Sequence, residues 1–73
     1  MSRISQILAN MKPGTAIWVR PQFETPESLA VFEAQEVDEI AHAHGFIIEE
    51  RHRAWRVDRT YVDALRVRRP LDD

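Results

Sequence analysis

The residues best suited to recognition chemistry are arginines in the last third of the chain. Residues 51–69 hold seven of them, at positions 51, 53, 56, 59, 66, 68 and 69, against two acids. A guanidinium group presents its N–H donors in a planar fork that binds carboxylates and phosphates. Spacing at period two predicts that four of these side chains share one face of a β-hairpin as a donor array: Arg51, Arg53, Arg66 and Arg68. The alternative is internal pairing with nearby acids, namely Glu49, Glu50, Asp58 and Asp63.

Aromatic residues are the second group that could bind a partner. Trp18 lies in an apolar run and is expected to be structural, as some aromatics of so small a chain must be core. Phe23 lies in a loop between two prolines and Trp55 lies among arginines, so both are predicted to be exposed anchors. Trp, Tyr and Arg dominate the energetics of protein interfaces. The predicted partner-binding residues are therefore Phe23, Arg51, Arg53, Trp55, Arg56, Arg66, Arg68 and Arg69.

Motifs for catalysis or metal binding are missing from the sequence. His42 and His44 are two apart, which on a helix places them on different faces, and no His-Glu-x-x-His spacing is present. Glu49 and Glu50 are neighbours on a predicted strand, where they should point to opposite faces and not act on one atom. With no cysteine and two glycines, a thiolate site or phosphate loop is also unexpected. We expect a protein that is not an enzyme and has no cofactor or metal.

Length and composition favour one small folded domain spanning residues 1–73. Apolar residues make up 44% of the chain and charged residues 30%, which is far from the composition of disordered proteins. A single core of this size rarely supplies more than roughly 3–5 kcal/mol of stability. The lack of cysteine and of an apolar signal-peptide core predicts a cytoplasmic location.

Helical periodicity and end signals predict two helices. An apolar stripe at positions 4, 7, 8 and 11 predicts the first over residues 3–11, and Lys12-Pro13-Gly14 should end it. Thr25-Pro26-Glu27 combines a capping residue, a proline suited to the first helical position and an acid at the positive end of the helix dipole. This second helix should run for about 18 residues, up to Gly45.

Three β-rich runs complete the predicted order of helix, strand, helix, strand, strand. Residues 15–20 are apolar on both faces and predict a strand buried largely on both sides. Residues 46–55 predict a second strand, and a loose or bulged connection at 56–60 leads to a third over 61–68. In that strand Tyr61, Leu65 and Val67 should share one face. The pattern indicates an α+β fold in which two helices pack on a small three-stranded, mainly antiparallel sheet.

Acidic and basic residues are separated along the chain, and this separation indicates which class of partner the protein binds. Residues 24–39 hold six acids and no Lys or Arg, in contrast to the arginine-rich end. The order of elements is also loosely that of a winged helix, but its groove-binding helix would here carry five acids and repel phosphate. A protein partner with an acidic or mixed surface fits the two poles best. The alternative is nucleic-acid binding through the arginine-rich hairpin alone.

Two resemblances accompany these patterns. The run from Ile4 to Arg69, with Met11-Lys12-Pro13-Gly14 before a strand and Ala43-His44-Gly45-Phe46 after a long helix, is similar to the later part of the small sulfur-carrier fold. The first strand and Cys-Pro motif of that family are missing, so its chemistry does not carry over. In size, lack of cysteine and arginine content the whole chain resembles phage-encoded regulators of host transcription of the Xanthomonas-phage type. That resemblance implies a protein that binds the large subunits of bacterial RNA polymerase, blocks initiation and promotes antitermination.

Overall fold

The structure, a computed structural model, describes residues 2–71. Its elements are α1 (Arg3–Ala9), β1 (Thr15–Val19), α2 (Pro26–Val31), a π-helical turn (Phe32–Glu36), α3 (Val37–Ala41), β2 (Ile47–Arg56) and β3 (Arg59–Arg69). The segments from α2 to α3 follow one another without a break and form one long helix. The predicted α+β fold, with two helices and three strands in the predicted order, is confirmed.

Local signals explain where the first helix begins and ends. Ser2 caps α1 by accepting a hydrogen bond from the N–H of Ser5. At the other end the backbone turns back, and the N–H of Thr15 donates to the carbonyl of Lys12 at 3.2 Å. Gly14 occupies the third position of this turn with a φ of 82°, a conformation that glycine adopts without strain. The helix ends at Ala9, two residues before the predicted end.

A π turn in the long helix keeps its apolar side chains on one face. Leu29 and Phe32 are three residues apart, but the next apolar residue of the stripe, Val37, follows only after five. The N–H of Val37 donates to the carbonyl of Phe32, five residues back instead of four. This wider turn absorbs the extra residue, so Phe32, Val37 and Ile40 all pack towards the sheet.

The sheet has the order β1-β3-β2, and both pairings are antiparallel. β3 is therefore the central strand, while β1 and β2 are edges. β1 pairs only with residues 65–69 of β3, from Val19 opposite Leu65 to Thr15 opposite Arg69. The prediction that the first strand is buried on both sides is wrong, because β1 is an edge and the side chain of Trp18 is 43% exposed.

Two irregularities in the β2–β3 pairing decide which side chains share a face. Glu49 of β2 and Asp63 of β3 each lack a partner in the register. An extra residue in one strand reverses the alternation of side chains beyond it. Val62, and not Tyr61, therefore lies on the same face as Leu65. The predicted assignment of these two side chains is wrong.

One face of the sheet carries the core. Side chains of α1 and of the long helix pack there against Val19, Val62, Leu65 and Val67 of the sheet. No helix within residues 2–71 covers the other face, which we call the open face. The described residues extend over 45 × 24 × 17 Å. The long strands β2 and β3 account for the longest dimension, because about 11 residues of strand span ~36 Å.

The connection between β2 and β3 is tighter than predicted. Only Val57 and Asp58 separate the strands, and the N–H of Asp58 donates to the carbonyl of Arg56. Val57 has a φ of 43°, in the left-handed region that β-branched residues rarely adopt. The predicted loose connection over residues 56–60 is therefore wrong, and the turn holds a strained residue instead.

Candidate protein-binding surface

The outer half of the β2–β3 hairpin extends beyond the pairing with β1. β3 residues 59–64 have β2 on one side and no β1 residue on the other. We call residues 52–64 the hairpin arm. Because only two strands form the arm, side chains near its tip have few neighbours. Apolar side chains there stay in contact with solvent.

Two apolar side chains are highly exposed at the end of the arm. Trp55 is 65% exposed and Val57 is 86% exposed. Trp55 was predicted as an anchor from its surroundings in the sequence. Val57 was missed because valine is a residue type typical of strands. The available signal was its position, together with Asp58, between two long β-rich runs, where a two-residue hairpin turn fits. Together they give the arm an apolar tip.

Two of the predicted arginines precede Trp55 on β2 and have no ion pair within residues 2–71. Arg51 and Arg53 are exposed on β2, opposite Leu65 and Val62 of β3, so they lie on the same face as the core. Trp55 follows Arg53 at period two on that face. Within residues 2–71 neither guanidinium is within 4.0 Å of a carboxylate oxygen. Arg51, Arg53 and Trp55 therefore form a continuous exposed row.

The other two arginines of the predicted array lie on the opposite face. Arg66 and Arg68 flank Glu49, with their Nε atoms 3.3 and 2.9 Å from its carboxylate oxygens. The hydrogen bond from Arg68, aided by the charges of both arginines, lowers the pKa of Glu49. The single array predicted from period-two spacing is wrong, because the chain irregularities separate its members into two pairs on different faces. For Arg66 and Arg68 the alternative of internal pairing applies.

Arg56 and Arg69 are also engaged within the chain. Arg56 donates to the carbonyl of Trp55 at 3.0 Å and lies 3.8 Å from the carboxylate of Asp63. Arg69 donates to the carbonyl of Met11 and lies over the ring of Phe46, at 5.8 Å. Arg69 thus joins the end of β3 to the end of α1 and is positioned for a structural role.

A carboxylate of the long helix braces the arm. Glu33 accepts the backbone N–H of Val62 at 2.9 Å and the guanidinium of Arg59 at 3.1 Å. The bond from Val62 is the main reason that the pKa of Glu33 is lowered. Arg59 in turn lies 4.0 Å above the ring of Tyr61. Sequence reasoning missed this brace, because Glu33 and Val62 are 29 residues apart.

The predicted anchor Phe23 is separate from the arm. It lies in the loop between β1 and α2 and is 62% exposed. Its N–H donates to the hydroxyl of Ser28 at 3.1 Å, which fixes the loop to the start of the long helix. Phe23 is thus exposed as predicted, but the structure does not bring it together with Trp55.

Two of the three histidines each lie close to one carboxylate. His52 Nδ1 lies 2.6 Å from Asp63 on the open face, and His42 Nδ1 lies 3.2 Å from Asp38. Within residues 2–71 no three side chains of the metal-binding types converge on one point.

No family model matches the chain, and no curated protein or solved structure is significantly similar to it. Among the helices of residues 2–71, none has the length and apolar character needed to cross a bilayer.

Proposed function

We propose that this protein is a non-enzymatic regulator that binds another protein through its hairpin arm. The observation that carries the proposal is the exposed row of Arg51, Arg53 and Trp55 next to Val57. A projecting tryptophan can fill a pocket on a partner, and unpaired arginines beside it can bind carboxylates around that pocket. The brace from Glu33 orders the arm before binding, which reduces the entropy lost on association.

The distribution of charge favours a protein over a nucleic acid. Of the seven arginines at positions 51–69, four are in ion pairs with acids of the same chain: Arg56, Arg59, Arg66 and Arg68. A fifth, Arg69, is bonded to Met11. Binding to nucleic acid draws its affinity from many simultaneous phosphate contacts. Arg53 on the arm and Arg51 at its root supply few such contacts, whereas they suffice to flank an apolar anchor.

The partner that we propose is bacterial RNA polymerase. This choice rests on the resemblance to small phage-encoded regulators of transcription. Docking on the large subunits would inhibit initiation and promote antitermination, and it would place the protein in the host cytoplasm. Nucleic-acid binding by the hairpin is the competing function, and salt dependence separates the two.

Affinity capture from a nuclease-treated bacterial lysate tests the proposal. The baits are the tagged wild type, Trp55→Ala and Phe23→Ala, and retained proteins are quantified by mass spectrometry. Phe23→Ala is a matched control, because Phe23 is about as exposed as Trp55 but lies off the arm. We expect wild type and Phe23→Ala to retain the polymerase subunits and Trp55→Ala to lose them.

Other outcomes reject separate parts of the proposal. Polymerase that is retained only without nuclease would indicate nucleic-acid binding. Retention of a different protein that depends on Trp55 would keep the arm as the binding surface and reject polymerase as the partner. Equal retention by all three baits would remove the arm from consideration.

A further inference from the structure

The two edges of the sheet are protected to very different degrees. The pairing of β2 is interrupted at the unpaired Glu49. Four of the five residues from Glu49 to Arg53 are charged, the exception being His52. Chain irregularities and charges of this kind prevent an edge from pairing with another strand. β1 has neither: its pairing with β3 is continuous and its five residues are uncharged, Thr15-Ala16-Ile17-Trp18-Val19. β1 is therefore the edge open to strand addition.

The backbone of β1 has hydrogen-bonding groups that point away from the sheet. The N–H of Thr15 donates to the carbonyl of Lys12, inside the turn, and not to β3. Because outward and inward groups alternate along an antiparallel pair, the N–H and C=O groups of Ile17 and Val19 also point outwards. Within residues 2–71 no group from outside the sheet bonds to the backbone of 16–19.

An apolar groove runs beside this edge. It has a volume of about 480 Å³ and lies between the last turn of α1 and β1. Its lining is Ile7, Asn10, Met11, Lys12, Thr15 and Ile17. Ile17 is opposite the buried Val67 and so points to the groove side of the sheet. A strand added to β1 would direct every second side chain into this groove.

The charged residues next to the groove within residues 2–71 are cations. Residues 1–23 contain no Asp or Glu, and they include Arg3, Lys12 and Arg20. Arg3 is paired with Glu36, which leaves Lys12 and Arg20 at the two ends of β1. Two copies of this chain joined through β1 would bring these cations together, which is unfavourable. An acidic partner strand is attracted instead.

We infer that the β1 edge and its groove bind an extended acidic peptide that adds a fourth strand to the sheet. About five peptide residues would pair with β1, with apolar side chains at alternate positions in the groove. Carboxylates at the peptide ends would contact Lys12 and Arg20. This surface is separate from the hairpin arm, so the protein would have two independent contacts.

NMR titration of the labelled full chain tests the inference. The probe is a synthetic peptide of alternating valine and glutamate. We expect the largest amide shift changes at Ile17 and Val19 and at the groove residues, with the arm unchanged. A peptide with lysine in place of glutamate, and an acidic peptide N-methylated at alternate amides to remove its donors, should not bind.

Variants of the protein provide the controls. Lys12→Glu should weaken peptide binding about fivefold or more, because a favourable surface contact becomes a repulsive one. Arg51→Glu makes the same change of charge on β2, at the root of the arm, and should leave peptide affinity unchanged. Shift changes confined to the arm, equal binding of the N-methylated peptide or of the lysine peptide, or a stable dimer in sedimentation without peptide would each overturn the inference.

Discussion

The base of the molecule and the hairpin arm use the same two strands in opposite ways. At the base, β3 has strands on both sides and helices on one face, so Leu65 and Val67 are fully buried. In the arm, the pair of strands ends in Trp55 and Val57, which are among the most exposed apolar residues described. The arginines of the two regions also differ. Arg66 and Arg68 at the base form ion pairs with Glu49. Arg51 at the root of the arm and Arg53 on it have no ion pair within residues 2–71.

The residues that hold the fold are therefore distinct from the residues that are available to a partner. Apolar side chains at the base contribute to the small core on which a chain of this size depends. Apolar side chains at the arm tip contribute little to folding, because two-stranded hairpins bury little surface. Substitutions at the base and at the arm tip should therefore affect different measurements.

The largest expected effect is on stability, at the base. Phe32 is fully buried in the core, and Phe32→Ala should cost about 3–5 kcal/mol. That is comparable with the whole stability expected for such a domain, so the variant should be largely unfolded by circular dichroism. Trp55→Ala is the contrasting variant and should keep the spectrum and the urea midpoint of wild type.

The next effect is on binding and distinguishes the two arginine pairs. Arg51→Ser with Arg53→Ser should weaken binding to the partner by about tenfold or more, since both side chains are free to contact it. Arg66→Ser with Arg68→Ser should leave affinity nearly unchanged, because Glu49 already engages those side chains. Isothermal titration of both double variants measures this difference. A larger loss for the second pair would place the interface on the open face.

A smaller effect concerns the brace between the base and the arm. The pKa of Glu33 is lowered in the folded protein, so its stabilising contribution is present above its usual value of 4.5 and is lost as the pH falls through the folded pKa. At neutral pH, Glu33→Gln should lower the free energy of unfolding by about 1 kcal/mol. As the pH falls, the free energy of unfolding of Glu33→Gln should decrease less than that of wild type. Urea unfolding at neutral pH and at about pH 3 measures both quantities.

Glu24→Gln is the control for that experiment. Glu24 is exposed and has no hydrogen-bonding or ionic partner within the described part of the chain. The free energy of unfolding of Glu24→Gln should decrease with falling pH as much as that of wild type. If Glu33→Gln also keeps the full sensitivity, the bond from Glu33 to the Val62 N–H does not stabilise the folded arm.

The smallest effect lies at the tip. Val57 has a left-handed backbone conformation that costs a β-branched residue on the order of 1 kcal/mol, and asparagine adopts it more easily. Val57→Asn should raise the free energy of unfolding by up to about that amount and, by removing an apolar contact, weaken partner binding. A variant that is both more stable and tighter binding would show that Val57 does not contact the partner.

The elements were largely predictable because their signals are local. The cap at Thr25, the proline after it and the Lys12-Pro13-Gly14 turn all act within a few residues. The faces of the sheet were not predictable, because one unpaired residue in each strand, Glu49 and Asp63, reverses the alternation. No residue type marks such positions in advance, and this is why the predicted arginine array failed.

The candidate site was predicted only in part for the same reason. Trp55 and its neighbours Arg51 and Arg53 were identified from composition, and the structure places them in one row. The separate positions of Phe23 and Arg69 depend on contacts between distant parts of the chain, such as the bond from Arg69 to the carbonyl of Met11. Arg69 and Met11 are 58 residues apart, beyond the reach of spacing arguments.

The most direct test of the account is the affinity of purified bacterial RNA polymerase for wild type, Trp55→Ala and Phe23→Ala, measured by biolayer interferometry at low and high salt. If the hairpin arm is the binding surface, Trp55→Ala should lose at least about 2 kcal/mol, or roughly 30-fold in affinity, while Phe23→Ala binds as wild type does and added salt weakens binding only modestly. Equal affinities for the three proteins would contradict the assignment of the hairpin arm as the binding surface.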